Sequence, residues 1–289
     1  MSAAARTVLV VAGLTLREAV RRKVLRAIIG LTLALLLISA VGFPALNTIE
    51  AEDGGLTSGE GRLVAAIVLN LVMFGLSLIA ALSTAFLAGP TLAGEVESGT
   101  ALAVLARPVH RSAVLLGKWL GLVAFGGGFV VVAGLAQLLV VLVAVGYWPP
   151  QPVVGLAFLA AQTAVLLTLG LLLSTAMSPM ASGVTTVGLF GATWIAGVVG
   201  GLGDTFGSAT VGAVGSVSQV LLPTDGLWRG AMNAVQDPVA LAQFGGPALE
   251  GGVPFLSDAS LTPAYLGWVV VWTALVLGLA GVVFGRRDL

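Results

Sequence analysis

Long apolar runs alternate with short polar segments along most of the chain. Uncharged runs cover 27–49, 63–94, 119–203 and 259–285. A backbone inside hydrocarbon must satisfy its own hydrogen bonds, so runs of about 20 apolar residues are typical of transmembrane helices. The run 119–203 is 85 residues long, and proline-containing breaks at 147–152 and 177–180 divide it into three parts. The pattern therefore predicts six membrane-spanning helices.

The predicted spans belong to one transmembrane domain that covers 1–289. We place them at about 27–46, 63–91, 119–146, 153–176, 181–201 and 263–285. Before the first span, Leu9, Leu16 and Val20 recur near helical spacing, while Arg17 and Arg21 fall on another face. This spacing predicts an amphipathic helix at the membrane surface within 1–26. A cleaved signal peptide is the alternative, but about 20 residues precede the basic cluster, which does not fit a signal peptide.

Basic residues concentrate in alternate loops of a six-span chain. With the N terminus in the cytoplasm, eleven of the thirteen Lys and Arg residues lie inside, and only Arg62 and Arg229 lie outside. Four acidic residues then lie inside and nine outside, so the formal charge is +7 inside and −7 outside. Cytoplasmic loops collect Lys and Arg. We therefore predict a multi-pass protein of the cytoplasmic (inner) membrane with both termini in the cytoplasm.

Composition narrows the classes of function. Charged residues make up 9% of the chain and apolar residues 58%, whereas an average soluble domain is about 25% charged and 45–50% apolar. So few charges cannot cover a water-soluble enzyme, and the basic excess of a nucleic-acid-binding protein is lacking. The chain has no Cys, which excludes disulfides and zinc–thiolate sites, and its one His is His110. We expect no cofactor or metal in this chain.

The segment 92–118 links the second and third spans and concentrates polar residues. A short helical stretch at 100–106 ends at Arg107, because a residue before proline is pushed out of the helical region. Lys118 is predicted to extend from the third span to the interface. We interpret the segment as a short helix along the membrane surface, suited to being pushed by a soluble partner. A loop whose basic residues only set the topology is the alternative.

The external segment 202–262 is the longest piece outside the predicted spans. After Pro223, Thr224 or Asp225 is placed to cap a helix that continues to about Val235. Such a helix is interpreted as an amphipathic or re-entrant element that closes one end of a pathway. A Gly- and Pro-rich connector without a further role is the alternative.

Polar residues inside the predicted spans are few, and none is ionisable. Ionisable groups at membrane depth mark proton relays and ion-coupled carriers, so their absence argues against such a pump and against a lipid-embedded hydrolase. Asn70, Gln137 and Gln162 are candidate pathway-lining residues. The alternative is that these amides form hydrogen bonds between helices. Glycine pairs spaced four residues apart permit close helix packing or dimerisation; they are Gly117/Gly121, Gly197/Gly201 and Gly281/Gly285.

The stretch 94–119, GEVESGTALAVLARPVHRSAVLLGKW, resembles the segment that follows the second span of type-2 ATP-binding-cassette (ABC) permeases. The stretches LTLREAVRRKVL (14–25), LLPTDGLWRGA (221–231) and FGRRDL (284–289) are also similar to that family. The resemblance covers essentially the whole chain. Its nearest subgroup is the permeases of copper-enzyme maturation, such as that of the nitrous-oxide reductase assembly system. The resemblance implies an all-α membrane protein with six spans, a cytoplasmic coupling helix between spans two and three, and both termini inside.

The resemblance also implies partners and roles for residues. Two permease subunits pair, here expected as a homodimer, and each sits on a separate cytoplasmic ATPase subunit that binds ATP and Mg²⁺. The permease itself is not an enzyme. The residues that the resemblance assigns to ATPase coupling, helix packing and exit into the third span are Glu95, Glu97, Gly99, Thr100, Leu102, Leu105, Arg107, Pro108 and Arg111.

The resulting functional hypothesis is a permease subunit that couples ATP hydrolysis by its partner to substrate movement, with the resemblance favouring export. The alternative is a membrane scaffold that passes force through 201–262 to an extracytoplasmic accessory protein without moving solute. No nucleic-acid partner is expected, and the lipid bilayer surrounds the spans. The sequence leaves the substrate open.

Overall fold

The computed structural model describes residues 3–49, 59–97, 110–244, 246, 254–257 and 260–286. These residues form ten α-helices and no strand. The helices are α1 Ala3–Arg21, α2 Val24–Ile49, α3 Gly59–Glu97, α4 Arg111–Val145, α5 Pro152–Ala176, α6 Pro179–Thr205, α7 Ala209–Leu221, α8 Thr224–Val235, α9 Pro238–Phe244 and α10 Pro263–Arg286.

Six of these helices, α2 to α6 and α10, are long and apolar enough to cross a membrane. The other described helices are shorter or more polar than a span requires. The prediction of an all-α membrane protein with six spans is therefore confirmed. Helices α2 and α10 have few buried residues and form the outside of the bundle, whereas α3 and α5 form its centre.

Helices α3 and α4 are longer than a membrane is thick. They contain 39 and 35 residues, which at 1.5 Å per residue gives about 58 and 52 Å, against a hydrocarbon core of about 30 Å. The end of α3 and the start of α4 lie side by side, because Lys118 Nζ is 3.1 Å from the Thr91 carbonyl oxygen. We call this end of the bundle, where α1 also ends at Arg21, the basic end. Both helices have enough length to extend beyond the hydrocarbon there.

The N-terminal helix α1 packs lengthwise against the first turns of α4. A Cβ atom added at Gly117 would stand 2.6 Å from Val11 Cβ, and one at Gly121 would stand 2.6 Å from the Ala12 carbonyl oxygen. The predicted glycine pair therefore serves a contact within the chain. Away from this contact, Leu9 and Leu14 of α1 are exposed, each at 58%.

Helices α7 and α8 follow the fifth span; α7 packs back along α6, and α8 packs mainly on α5. The predicted helix at Thr224–Val235 is present, but it is buried inside the bundle, with Leu227 at 0% and Trp228 at 2% exposure. Its predicted side-chain cap is wrong, because Pro223 occupies the cap position and no side chain bonds there. The reason is that both candidate side chains have other partners, described below.

Candidate functional site

The predicted coupling segment follows the end of α3. Glu95 and Glu97 fall in the last turn of that helix. The remaining predicted residues between the two helices lie outside the described residues; they are Gly99, Thr100, Leu102, Leu105, Arg107 and Pro108. The structure thus fixes where the segment leaves α3 and where it enters α4, at His110 and Arg111.

Arg111, the last predicted coupling residue, joins α4 to the end of α10. Its guanidinium Nη1 donates to the carbonyl oxygens of Phe284, at 3.3 Å, and Gly285, at 3.2 Å. These carbonyls belong to the last turn of a helix, where the backbone carries partial negative charge and lacks intrahelical donors. Arg111 therefore ties the exit of the coupling segment to the sixth span.

Lys118 is buried in the protein, so the prediction that its ammonium group extends away from the third span is wrong. Its residue exposure is 6%, and its ammonium group donates to the Thr91 carbonyl oxygen of α3. A buried ammonium group requires such partners because desolvation is costly. The close packing of α1, α3 and α4 determines this position.

Arg22 contacts α3 at a place that the sequence analysis missed. Because Pro90 has no N–H, the Phe86 carbonyl four residues earlier loses its intrahelical donor, and Arg22 Nη1 donates to that oxygen at 3.3 Å. Arg22 also pairs with Glu18 at 2.6 Å. In the sequence, Pro90 inside the apolar run 63–94 indicated that one backbone carbonyl would need a donor from elsewhere. The end of α1 is thereby attached to the second span beside its proline.

Gln162 lies in a hydrogen-bonded chain that crosses the middle of the bundle. Ser77 of α3 donates to Gln162 Oε1 at 2.6 Å, and Gln162 Nε2 donates to the Thr224 carbonyl oxygen at 3.2 Å. The Thr224 hydroxyl is 2.9 Å from that of Thr193 in α6. These hydrogen bonds connect α3, α5, α8 and α6. Gln162 therefore bonds between helices, which was the alternative to lining a pathway.

Asn70 is fully buried beside a cluster of aromatic rings. Its Nδ2 donates to the Phe255 carbonyl oxygen at 2.9 Å. The ring of Phe74 stacks on Trp194 with centroids 4.6 Å apart, and it also contacts the rings of Trp228 and Phe255. These four rings, the aromatic cluster, fill the space between α3, α6 and α8.

Gln137 of α4 differs from the other two amides. It is 1% exposed, and neither its Oε1 nor its Nε2 has a hydrogen-bond partner among the described residues. All three candidate pathway residues are thus buried; Gln162 bonds across helices, and Asn70 bonds to the Phe255 carbonyl in a turn before α10. Their lining of a pathway stays a prediction.

Helix α8, in the predicted external segment, carries an ion pair. Arg229 Nε donates to Asp225 Oδ2 at 2.9 Å, and Gln219 Nε2 donates to the same oxygen at 3.0 Å. Arg229 Nη2 also donates to the Gly197 carbonyl oxygen of α6 at 2.5 Å. Asp225 is 3% exposed. In the sequence, the i, i+4 spacing of Asp225 and Arg229 was the feature that could have predicted this ion pair.

The connector between α4 and α5 is anchored to the end of α8. The Tyr147 hydroxyl donates to the Val235 carbonyl oxygen at 2.7 Å, and the Gln151 backbone N–H donates to the Ala234 oxygen at 3.1 Å. Burial raises the pKa of the Tyr147 phenol, so it stays a neutral donor. Within the ranges given above, no three His, Asp or Glu side chains are grouped to hold a metal ion.

We expect opposite outcomes for two buried glutamines. Gln162→Leu leaves the Ser77 hydroxyl and the Thr224 carbonyl without their partner, and lowers the free energy of unfolding by about 1 kcal/mol. Gln137→Leu removes an amide that has no described partner. It is expected to change the free energy of unfolding by less than about 0.5 kcal/mol or to stabilise the fold. Denaturant unfolding in detergent measures both. Equal losses would contradict the assigned bonding.

The comparisons with known proteins agree with the fold. No curated protein matches this sequence. The profile described as ABC-2 family transporter protein matches residues 9–289, which includes all six spans, the predicted coupling segment, α7 and α8. Members of this family are the membrane subunits of ABC transporters. The chain belongs to the ABC-2 transporter family.

Proposed function

We propose that this chain is the permease subunit that couples ATP hydrolysis, performed by a separate cytoplasmic ATPase, to export of a substrate across the cytoplasmic membrane. The active complex contains two permease chains and two ATPase subunits, and the basic end faces the cytoplasm. ATP and Mg²⁺ bind to the ATPase alone. The observation that supports the proposal most directly is a set of hydrogen bonds between helices at the basic end.

Three basic side chains at that end each connect a different pair of helices. Arg22 links the end of α1 to α3, Lys118 links α4 to α3, and Arg111 links α4 to α10. A force on segment 98–109 therefore reaches the spans on both sides of it, because its two ends continue into α3 and α4. A loop that only sets topology needs none of these contacts.

The energy required is within the range of nucleotide binding. Inverting a two-state equilibrium from 1:99 to 99:1 requires a ligand that favours one state by about 5.5 kcal/mol. Two ATP molecules bound between closed ATPases supply such a difference when only one arrangement of the spans fits the closed dimer. Opening a pathway would require the aromatic cluster between α3, α6 and α8 to separate.

Charge reversal at the end of α3 tests the proposal. Glu95→Lys or Glu97→Lys is expected to lower permease-dependent ATPase activity at least tenfold, because a like charge at a docking contact costs about 1.4 kcal/mol or more. The measurement is ATPase activity, with co-purification of the ATPase, in the reconstituted complex. Glu60→Lys, at the opposite end of the same helix, is the matched control and is expected to leave both unchanged.

Retention of full ATPase stimulation by both variants would contradict the coupling role. This assay measures ATPase activity and not substrate flux. A scaffold that transmits force without moving solute would therefore give the same result as an exporter. Stable capture of an extracytoplasmic protein, with no flux in vesicles, would favour that scaffold. The relation to copper-enzyme maturation permeases is a proposal from the sequence motifs alone, and the genes beside this one test it.

A further inference from the structure

An apolar groove opens on the surface between α3 and α6 near the basic end. Its volume is about 710 Å³, and its ten lining residues are all apolar or glycine. On α3 it runs from Pro90 to Leu82, and on α6 from Pro179 to Gly188. Both stretches lead from the basic end toward the middle of the membrane.

The length of the groove fits one lipid chain in one leaflet. Nine or ten helical residues rise about 14 Å, and half of the hydrocarbon core is about 15 Å. Exposed apolar side chains form its walls, with Phe86 at 52%, Val184 at 65% and Met180 at 81%. A flexible acyl chain fills such a surface without requiring polar partners.

A cation stands at the edge of this groove. Arg22 donates to the carbonyl oxygen of Phe86, which is itself a lining residue, and its side chain remains 26% exposed. Arg21, Lys23 and Arg26 beside it are exposed. Within 17–26 there are five basic residues and one acid, Glu18, so the local charge stays +4 after the Arg22–Glu18 pair is counted.

We propose that this groove is a binding site for an anionic phospholipid of the leaflet at the basic end. One acyl chain lies along α3 and α6, and the phosphate is held by Arg22 with its basic neighbours. Arginine matches phosphate geometry through paired N–H donors, and each cation near a membrane surface attracts anionic lipid by about 1 kcal/mol. The bound lipid would connect α3 and α6 to the end of α1, which reaches the groove through Arg22.

Native mass spectrometry of the full chain in detergent tests the site. The chain is titrated with dioleoyl phosphatidylglycerol or with dioleoyl phosphatidylcholine. We expect one phosphatidylglycerol per chain, bound at least about fivefold more tightly than phosphatidylcholine, the ratio that one cation sustains. Equal affinities for the two lipids would overturn the proposal.

Two pairs of variants separate the headgroup from the chain. Arg22→Gln is expected to remove the preference and Arg22→Lys to retain it, while Arg286→Gln, an exposed cation at the end of α10, leaves it unchanged. Val184→Trp fills the groove and is expected to weaken both lipids, whereas Val270→Trp, equally exposed on α10, does not. If folded Arg22→Gln protein still preferred phosphatidylglycerol over phosphatidylcholine, a cation other than Arg22 would bind the phosphate, and the proposed site would be overturned.

A second copy of the chain is the rival occupant. If the groove were a contact between copies, Val184→Trp would convert dimers to monomers and leave lipid retention unchanged, which would also overturn the proposal. The lipid site needs only the placement of the chain in a membrane. Its failure would therefore leave the coupling of ATP hydrolysis untouched.

Discussion

Arg229→Met is expected to lower the free energy of unfolding by about 3 kcal/mol, because it leaves the Asp225 carboxylate buried without its cation. The Asp225 side chain is 2% exposed and the Arg229 side chain 28%, so water cannot replace the guanidinium at the acid. The substitution also removes the donor to the Gly197 carbonyl oxygen. Methionine keeps much of the side-chain volume, which limits the effect of a cavity.

The matched control is a second ion pair that lies at the surface. Arg62 and Asp237 are 3.3 Å apart with side chains 52% and 18% exposed, and Arg62→Met is expected to cost less than about 1 kcal/mol. The double variant Asp225→Asn with Arg229→Met should recover part of the loss, because it leaves no uncompensated charge. Thermal unfolding of the purified protein measures all three. Equal effects of Arg229→Met and Arg62→Met would show that the α8 pair is solvated.

Gly121→Ala is expected to destabilise the protein by about 2 kcal/mol, although alanine is the better helix former. The added Cβ would stand 2.6 Å from the Ala12 carbonyl oxygen and 2.8 Å from Thr15 Cβ. The nearer atom belongs to the backbone of α1, so the whole helix must move away from α4. We expect faster trypsin cleavage after Arg17 or Arg21 as α1 separates.

Gly128→Ala provides the control on the same helix. No atom lies within 4 Å of its added Cβ, so it is expected to be neutral or to stabilise α4 by up to about 1 kcal/mol. Equal unfolding temperatures for the two variants would mean that α1 does not pack on α4 at Gly121. The comparison thus separates helix propensity from helix packing.

The number and type of helices follow from local pattern. The spans in 27–49, 63–94, 119–203 and 259–285 are visible because hydrocarbon imposes one requirement on every residue of a span, apolarity over a fixed length. The helix Thr224–Val235 was also predictable from its boundaries, but its burial was not. A twelve-residue helix that contains an acid and an arginine is typical of a protein surface. In the structure Arg229 pairs with Asp225, which allows the helix to be buried.

The polar contacts of the candidate site depended on neighbours far along the chain. Gln162 and Gln137 look alike in sequence, yet one bonds to Ser77 and Thr224 and the other has no described partner. Lys118 was expected at the interface because snorkelling is the usual behaviour of such a residue. The Thr91 carbonyl, 27 residues away, determines the observed position instead. The roles of Glu95, Glu97 and the residues that follow stay predictions.

The residue pattern alone was enough to predict an all-helical chain with six spans and its resemblance to a transporter family, since both depend on composition and on motifs within one segment at a time. Three features required the three-dimensional arrangement: α1 packs on Gly117 and Gly121, α8 is buried in the bundle, and Arg22 donates to the carbonyl that Pro90 leaves without a donor. Such pairings depend on which helix faces are brought together, and apolar faces of similar composition give no signal of their partner.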